Sequence, residues 1–301
     1  MRKLLLFTLI LCFFAYEADA QHRRRRSTFG KKKPPYRYEM IGMLGAANFL
    51  GDLGGANQIG TNGIKDLEYV LTRPSLGFGM RIKVQQFISL KGNLVCGIVR
   101  GDDKLTLEEF RHKRNLNFRS PLVELSGQLE FNFIKEQKGH IYKIKGVRGM
   151  QHKDRQIYLF VGGGGLYFNP QGKYIDGFWY PLHQYHTEGV NYLRVTGILS
   201  AGGGFRFAIN RYWGIGFEFG MRKTFSDYID DTSTNYADPS IFNGDPKAIY
   251  FANPTDQSVP GYCYPCVGEQ RGDHTDKDAY MFGMFTVGYK VMYRKRSRSK
   301  F

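Results

Sequence analysis

The sequence predicts an all-β fold, an eight-stranded antiparallel transmembrane β-barrel with long outer loops and a basic periplasmic N-terminal arm. Three observations lead to this prediction. The chain opens with a segment typical of export, and eight later segments alternate apolar and polar residues with the period of a β-strand. The connections between those segments are mostly short at one predicted end of the barrel and long at the other.

Residues 1–20 have the plan of a secretory signal peptide. Two basic residues precede an apolar run from Leu4 to Tyr16, and Ala18-Asp19-Ala20 follows it before Gln21. No later stretch approaches the roughly 18 to 20 consecutive apolar residues of a membrane helix. The formal net charge of +16 is typical of nucleic-acid binding, but an exported protein does not meet the chromosome. We therefore expect no nucleic-acid partner.

Alternation is clearest in residues 212–223 and 279–293. In the first of these, the aromatic and aliphatic side chains of Trp213, Ile215, Phe217, Phe219 and Met221 share one face. Glycines, Glu218 and Arg222 share the other, which is the period of two expected of a strand. The same pattern recurs upstream. The eight candidate strands are residues 38–49, 76–85, 87–100, 121–133, 156–168, 194–209, 212–223 and 279–293.

A soluble β-sandwich also alternates, with its apolar face inward. Here the apolar face is rich in aromatic residues over about ten positions, the length that crosses a bilayer when tilted, whereas the polar face carries glycines and isolated charges of both signs. We favour the barrel, with the polar face inward. The inward charges, expected to pair as a polar plug without an open pore, are Arg81, Lys83, Lys91, Glu124, Glu130, Arg206, Glu218 and Arg222.

The connections predict the orientation. Short turns near residues 85–86 and 210–211 are expected in the periplasm, as are both termini, while long outer loops face outside. The predicted outer loops are residues 50–72, 101–117, 169–193 and 225–278. The connection 134–155 departs from the pattern as a long periplasmic segment. The chain then divides into a signal peptide 1–20, a basic arm 21–37, an outer-membrane barrel 38–294 and a basic tail 295–301.

The predicted periplasmic segments are strongly basic, whereas residues 225–278 hold ten acidic residues against three basic ones. One basic run alone is typical of a solvated, disordered tail. Three such segments at one end of a barrel repel one another and favour an anionic partner, either inner-leaflet phosphates or, as we prefer, an acidic periplasmic protein. The candidate partner-binding residues are Arg23, Arg24, Arg25, Arg26, Lys31, Lys32, Lys33, Lys143, Lys145 and Arg148.

Two further kinds of motif give only weak evidence of a functional site. The glycine runs 162–165 and 202–204 lie within candidate strands without a following Lys-Ser/Thr, so we interpret them as packing positions and not as phosphate loops. Cys263 and Cys266 form a C-x-x-C that lacks a redox or zinc context, and in an oxidising compartment we predict a small loop disulfide, with free thiols as the alternative.

Two groups of residues in the predicted outer loops carry side chains that are common in metal or catalytic sites. The carboxylates of Asp227, Asp230 and Asp231 suit calcium, but no complete calcium loop surrounds them, and we favour a solvated or capping role. His183, His186 and His274 lie in outer loops without a nucleophile motif. An enzyme is thus the minor hypothesis, and we predict no catalytic residue, metal or cofactor.

Three stretches carry a resemblance to a known family. YEMIGMLGAANFLGDLGG (38–55), RPSLGFGMRIKVQ (73–85) and RKTFSDYIDDTSTNYAD (222–238), above all its F-x-D-Y-I-D-D, resemble the PorG-like outer-membrane barrel component of the type IX secretion system. The resemblance implies a non-enzymatic protein in the outer-membrane lipid, associated with periplasmic rings of a lipoprotein and its partner protein and needed for cargo export. The alternative is an OmpA-like structural or adhesion barrel without a secretion role.

Overall fold

A computed structural model gives the fold. It describes residues 36–51, 53, 71–85, 87–105, 112, 114–133, 155–210, 212–255, 265–274 and 277–292. The strands are β1 (Tyr36–Leu50), β2 (Arg73–Lys83), β3 (Ile88–Asp102), β4 (Asn117–Asn132), β5 (Arg155–Phe168), β6 (Gln171–Lys173), β7 (Trp179–Pro181), β8 (Val195–Ala208), β9 (Trp213–Thr224) and β10 (Ala279–Met292). A short helix, α1 (Pro246–Ala252), lies in the last long loop. Among the described residues, no helix has the length and apolar composition needed to span a bilayer.

The eight long strands form a closed antiparallel barrel. Around it they follow the order β1, β2, β3, β4, β5, β8, β9, β10, and β10 pairs again with β1. The predicted fold is therefore confirmed, and all eight candidate strands are present with bounds shifted by at most four residues. The remaining two strands, β6 and β7, form a small hairpin that joins β4 at the Arg119–Gln171 pair.

Two tight turns lie at the same end of the barrel. Between β2 and β3, the amides of Val84 and Gln85 donate to the carbonyl of Ile88, and between β8 and β9 the amides of Ile209 and Asn210 donate to that of Trp213. We call this end, where β1 begins and β10 ends, the turn end, and the opposite end the loop end. The predicted alternation of short and long connections is confirmed for these turns.

The outer surface of the barrel is an apolar belt. Outward apolar side chains have large accessible surfaces: the relative exposures of Leu76, Leu125 and Phe285 are 64%, 66% and 69%. On β3 the belt runs from Ile88 to Ile98, which at ~3.4 Å per residue spans about 34 Å along the strand. At a strand tilt of ~40° this corresponds to about 26 Å along the barrel axis. That height matches the hydrocarbon region crossed by membrane barrels.

Glycines make room for aromatic side chains inside the narrow barrel. A Cβ added at Gly202 would lie 2.7 Å from Cζ of Phe160, and one added at Gly204 would lie 2.7 Å from Cζ of Tyr158. Both rings are buried in the lumen. The interpretation of the 202–204 glycine run as a packing feature is confirmed.

Candidate functional site

The lumen near the turn end is filled by a network of charges centred on Arg81. Its guanidinium donates to Glu39 at 2.8 Å and to Glu130 at 2.7 Å, and all three side chains are buried. Arg206 reaches Glu130 at 3.3 Å and donates to the side-chain amide oxygen (Oδ1) of Asn132 at 2.5 Å. Buried charges are tolerated only when they are paired and hydrogen-bonded, and this network meets that condition.

Two further networks fill the rest of the lumen. The ammonium of Lys91 lies 2.6 Å from Glu218, whose carboxylate also accepts a hydrogen bond from the hydroxyl of Tyr158 at 2.9 Å. Glu124 accepts from Arg222 at 3.3 Å and from Tyr280 at 2.8 Å. Each network joins strands that are not hydrogen-bonded neighbours, so the side chains brace the barrel from within.

These contacts confirm the predicted polar plug. Of the eight inward charges named from the sequence, seven lie in the ion pairs above, and Lys83 Nζ lies 4.3 Å from the ring centroid of Tyr36. Sequence reasoning did not name Glu39, which Arg81 contacts directly. A cavity between Arg81 and Lys290 measures only about 20 Å³, room for about one water.

An apolar layer closes the lumen at the loop end. Phe49 and Phe118 meet edge to face with ring centroids 4.8 Å apart, and Tyr192 stacks on Tyr228 at 4.4 Å. Phe49, Phe118 and Tyr192 belong to one cluster of buried residues, and the partly buried Tyr228 packs against it. Water is therefore kept from the plug on that side by packed aromatic side chains.

Above this layer the long loops are tied together around Asp231. Its carboxylate accepts hydrogen bonds from Thr187 and Tyr192, both at 2.5 Å. Burial raises the pKa of Asp231 to about 6, although the positive charge of Arg271 opposes the rise. Burial and the neighbouring Asp231 carboxylate raise the pKa of Tyr192 well above its ordinary value, so Tyr192 stays a hydrogen-bond donor.

Arg271 is the second centre of these loop contacts. It donates to the Glu188 carboxylate at 2.8 Å, to the Asp231 carbonyl at 2.6 Å and to the Phe251 carbonyl at 3.2 Å. Burial opposes its charge, but the carboxylates of Glu188 and Asp231 raise the pKa of Arg271 above its ordinary value. We call the loops joined by Asp231, Arg271 and Glu188 the outer cap.

The outer cap corrects one prediction. Asp227, Asp230 and Asp231 were expected to be solvated or capping, but their relative exposures are 2%, 1% and 1%. Asp230 does accept from the amide of Thr232 at 3.0 Å, which is a local turn contact. The solvated role is wrong because other loops cover these carboxylates. Within the described ranges no cluster of three or more His, Cys, Asp or Glu side chains suits a metal ion.

The other candidate residues divide between structural positions and undescribed segments. His183 contacts the Tyr192 carbonyl at 2.9 Å, so it packs within the outer cap. The predicted disulfide rests on Cys263, which lies outside the described residues. The basic candidates Arg23 to Arg26, Lys31 to Lys33, Lys143, Lys145 and Arg148 also lie outside them. The basic N-terminal segment leads into β1 at Tyr36, and the basic connection between β4 and β5 joins Asn132 to Arg155. These strand ends all lie at the turn end.

Comparisons with known proteins concern the fold alone. The chain is similar to the outer membrane protein OprG from Pseudomonas aeruginosa, with 10% identity, coverage of 86% of this chain and 98% of that one, and a TM-score of 0.37. It is also similar to Neisserial surface protein A, with 6% identity, coverage of 84% of this chain and 96% of that one, and a TM-score of 0.36. A third similar structure is Ail, the attachment invasion locus protein of Yersinia pestis, with 9% identity, coverage of 85% of this chain and 99% of that one, and a TM-score of 0.35. No protein-family model and no curated protein matches the sequence.

The closed sheet, the apolar belt and the filled lumen together define a class of protein. They are the properties of a small transmembrane β-barrel of the outer-membrane type, in which eight strands leave an interior only wide enough for side chains. Such a barrel acts through its two ends and its outer surface, because the lumen is occupied.

Proposed function

We propose that this chain is a non-enzymatic outer-membrane component of a protein secretion machine, with the turn end in the periplasm as a docking surface for ring proteins. This is the type IX secretion role that the sequence resemblance implies. A plugged lumen supports a role in anchoring, since cargo cannot pass through a barrel filled by ion pairs.

The observation that carries the proposal is the convergence of basic segments on one end. The strand ends at Tyr36, Asn132, Arg155 and Met292 all belong to the turn end, so three segments rich in Arg and Lys attach there. Like charges held together repel one another, and an acidic partner offsets that repulsion. Inner-leaflet phosphates need only a few scattered cations, whereas three long basic segments suit a protein surface.

The test replaces Arg23 to Arg26 and Lys31 to Lys33 together by Ser and Gln, with the barrel unchanged. After cross-linking in the periplasm, we expect the variant to lose the ring lipoprotein and its partner from the recovered complex, and we expect rising salt to weaken the unmutated complex. A second variant neutralises Lys143, Lys145 and Arg148. A control variant neutralises Lys104, Lys173 and Lys247 at the loop end.

Insertion of each variant into the membrane is verified by its heat-dependent mobility in gel electrophoresis. If both turn-end variants recover the same periplasmic neighbours and secrete as well as the original at every salt concentration, the docking role is wrong. Recovery of external ligands alone, with no periplasmic ring protein, favours the structural or adhesion barrel.

A further inference from the structure

Two arginines face each other on the outside of the barrel at the loop end. Arg100 on β3 and Arg119 on β4 are directly paired across the ladder. Both point outward, because their chain neighbours Val99 and Phe118 are fully buried inside. They stand immediately above the apolar belt. The outward pairs below them are Ile98–Pro121, Cys96–Val123 and Leu94–Leu125.

The local charge is positive and incompletely neutralised. Like charges directly opposite on adjacent strands destabilise a sheet. Arg100 has one acidic contact, Asp102 at 3.1 Å, and its Nε is buried without a hydrogen-bond partner among the described residues. Arg119 donates to Gln171 at 2.8 Å, and that partner is neutral. An anion that bridges the two guanidinium groups relieves the repulsion.

A tryptophan completes the group. The Cζ atoms of Arg119 and Arg100 lie 4.5 Å and 5.7 Å from the ring centroid of Trp179, at the start of β7. Tryptophan is enriched at the level of lipid headgroups, where its ring meets the acyl region and its N–H meets water. The guanidinium fork matches the geometry of phosphate oxygens. These three side chains thus combine phosphate recognition with the height of a membrane interface.

We propose that Arg100, Arg119 and Trp179 form a binding site for the phosphate group of an anionic lipid headgroup in the leaflet at the loop end. This inference rests on the membrane location within the proposed function and is independent of the secretion role. The turn end offers a matched comparison. Arg37 and Arg155 are also exposed there, each near an aromatic ring, but they lie on the separated strands β1 and β5 and form no pair with each other.

The test measures lipid binding to the purified full chain in a neutral detergent. Phosphatidic acid, phosphatidylcholine and inorganic phosphate are titrated separately, and bound molecules are counted by native mass spectrometry. We expect phosphatidic acid to bind in preference to phosphatidylcholine. The Arg100→Gln/Arg119→Gln variant should lose at least about tenfold in affinity, as expected when charge-assisted hydrogen bonds are lost. The control Arg37→Gln/Arg155→Gln removes the same charge and should change affinity less than about twofold.

Fluorescence provides a second, local measurement. Trp179 and Trp213 are the two tryptophans of the sequence. In a Trp213→Phe variant the emission of Trp179 should change on addition of phosphatidic acid, whereas in a Trp179→Phe variant the emission of Trp213, near the turn end, should not.

Three outcomes contradict the proposal: equal binding by the Arg100→Gln/Arg119→Gln variant, no preference for phosphatidic acid, or saturation of the Trp179 change by inorganic phosphate alone. The last identifies a site for free phosphate. A chain that does not enter lipid vesicles at all contradicts the membrane location instead, so the two failures are distinguishable.

Discussion

Lys91 and Glu218 join opposite walls of the barrel. They lie on β3 and β9, which are four strands apart in either direction around the closed sheet, yet Lys91 Nζ and Glu218 Oε2 are 2.6 Å apart. Neither side chain is more than 3% exposed. Because this ion pair crosses the full width of the lumen, it couples strands that share no backbone hydrogen bonds.

Breaking this pair should destabilise the barrel. Glu218→Gln leaves the buried ammonium of Lys91 without its counter-charge, and removing one partner of a buried ion pair costs about 3 to 5 kcal/mol. The free energy of unfolding, measured by urea titration in lipid vesicles, checks the value. The double variant Lys91→Met/Glu218→Leu should recover most of the loss, since apolar side chains of similar volume often replace a buried pair.

The control for this measurement is Asp102→Asn, which breaks the more exposed pair between Asp102 and Arg100. Exposed pairs contribute at most about 1 kcal/mol, so a small effect is expected. If Glu218→Gln were as mild as Asp102→Asn, the plug would not be a stabilising element.

The outer cap should become more stable as the pH falls. The pKa of Asp231 is about 6 in the fold, above its ordinary value of 3.8. Between these values the folded cap binds more protons than the unfolded one, so its stability rises as pH is lowered through this window and is lost as pH rises to about 6. The gain is at most about 3 kcal/mol.

Hydrogen exchange of the amides in residues 227–236, corrected for the pH dependence of the intrinsic rate, measures this effect at pH 7 and pH 5. The charges of Arg271 and Glu188 also act on Asp231, so the comparison needs a variant that removes this one titration. Asp231→Asn should abolish the difference between the two pH values, whereas Asp238→Asn, at an exposed position, should retain it. The opposite trend in the unmutated protein would show that another group controls the cap.

The purified protein should form no stable channel. The lumen is filled by ion pairs and covered by aromatic side chains, and the cavity near Arg81 admits about one water. Planar bilayers that contain the inserted protein should show no single-channel steps. Reproducible conductance of porin magnitude would overturn the plug as a seal.

A glycine substitution should distinguish close packing from mere flexibility. At Gly204 an added methyl group would meet the ring of Tyr158 and the carbonyl of Phe217, each at 2.7 Å, whereas at Gly127 nothing lies within 4 Å. Gly204→Ala should therefore destabilise the barrel by about 1 to 3 kcal/mol through overpacking. Gly127→Ala, also within a long strand, should be neutral or slightly stabilising in the same urea titration. Equal effects of the two substitutions would mean that the Tyr158 ring does not require a glycine at position 204.

Periodicity revealed the barrel strands because lipid and lumen impose opposite chemistry on alternate residues. In β9, Phe217 and Glu218 point to opposite sides as predicted. The hairpin of β6 and β7 was missed, since strands of three residues have too few positions to show a period. Glu39 was missed because both faces of the first candidate strand are largely apolar, which hides the inward position of one acid.

The outer cap was beyond sequence reasoning for a different reason. Asp231 has the local pattern of an exposed turn, and its burial depends on Thr187, 44 positions earlier, and on Arg271, 40 positions later. Contacts at such separations follow from the path of the loops over the barrel end. The inward direction of the lumen charges could be predicted from the alternation of side chains along each strand. Their ion-pair partners could not, because the pairs depend on the order of the strands around the barrel.

The pairing of β1 with β10 affects how the protein is made. These strands match from Tyr36 opposite Met292 to Leu50 opposite Ala279, so the first and last strands of the barrel form its seam. Until β10 has been synthesised and exported, β1 and β9 each present an unpaired edge, which is a template for aggregation. The barrel is therefore prone to aggregation until β10 pairs with β1, and deletion of β10 alone should leave two open edges and an aggregated product.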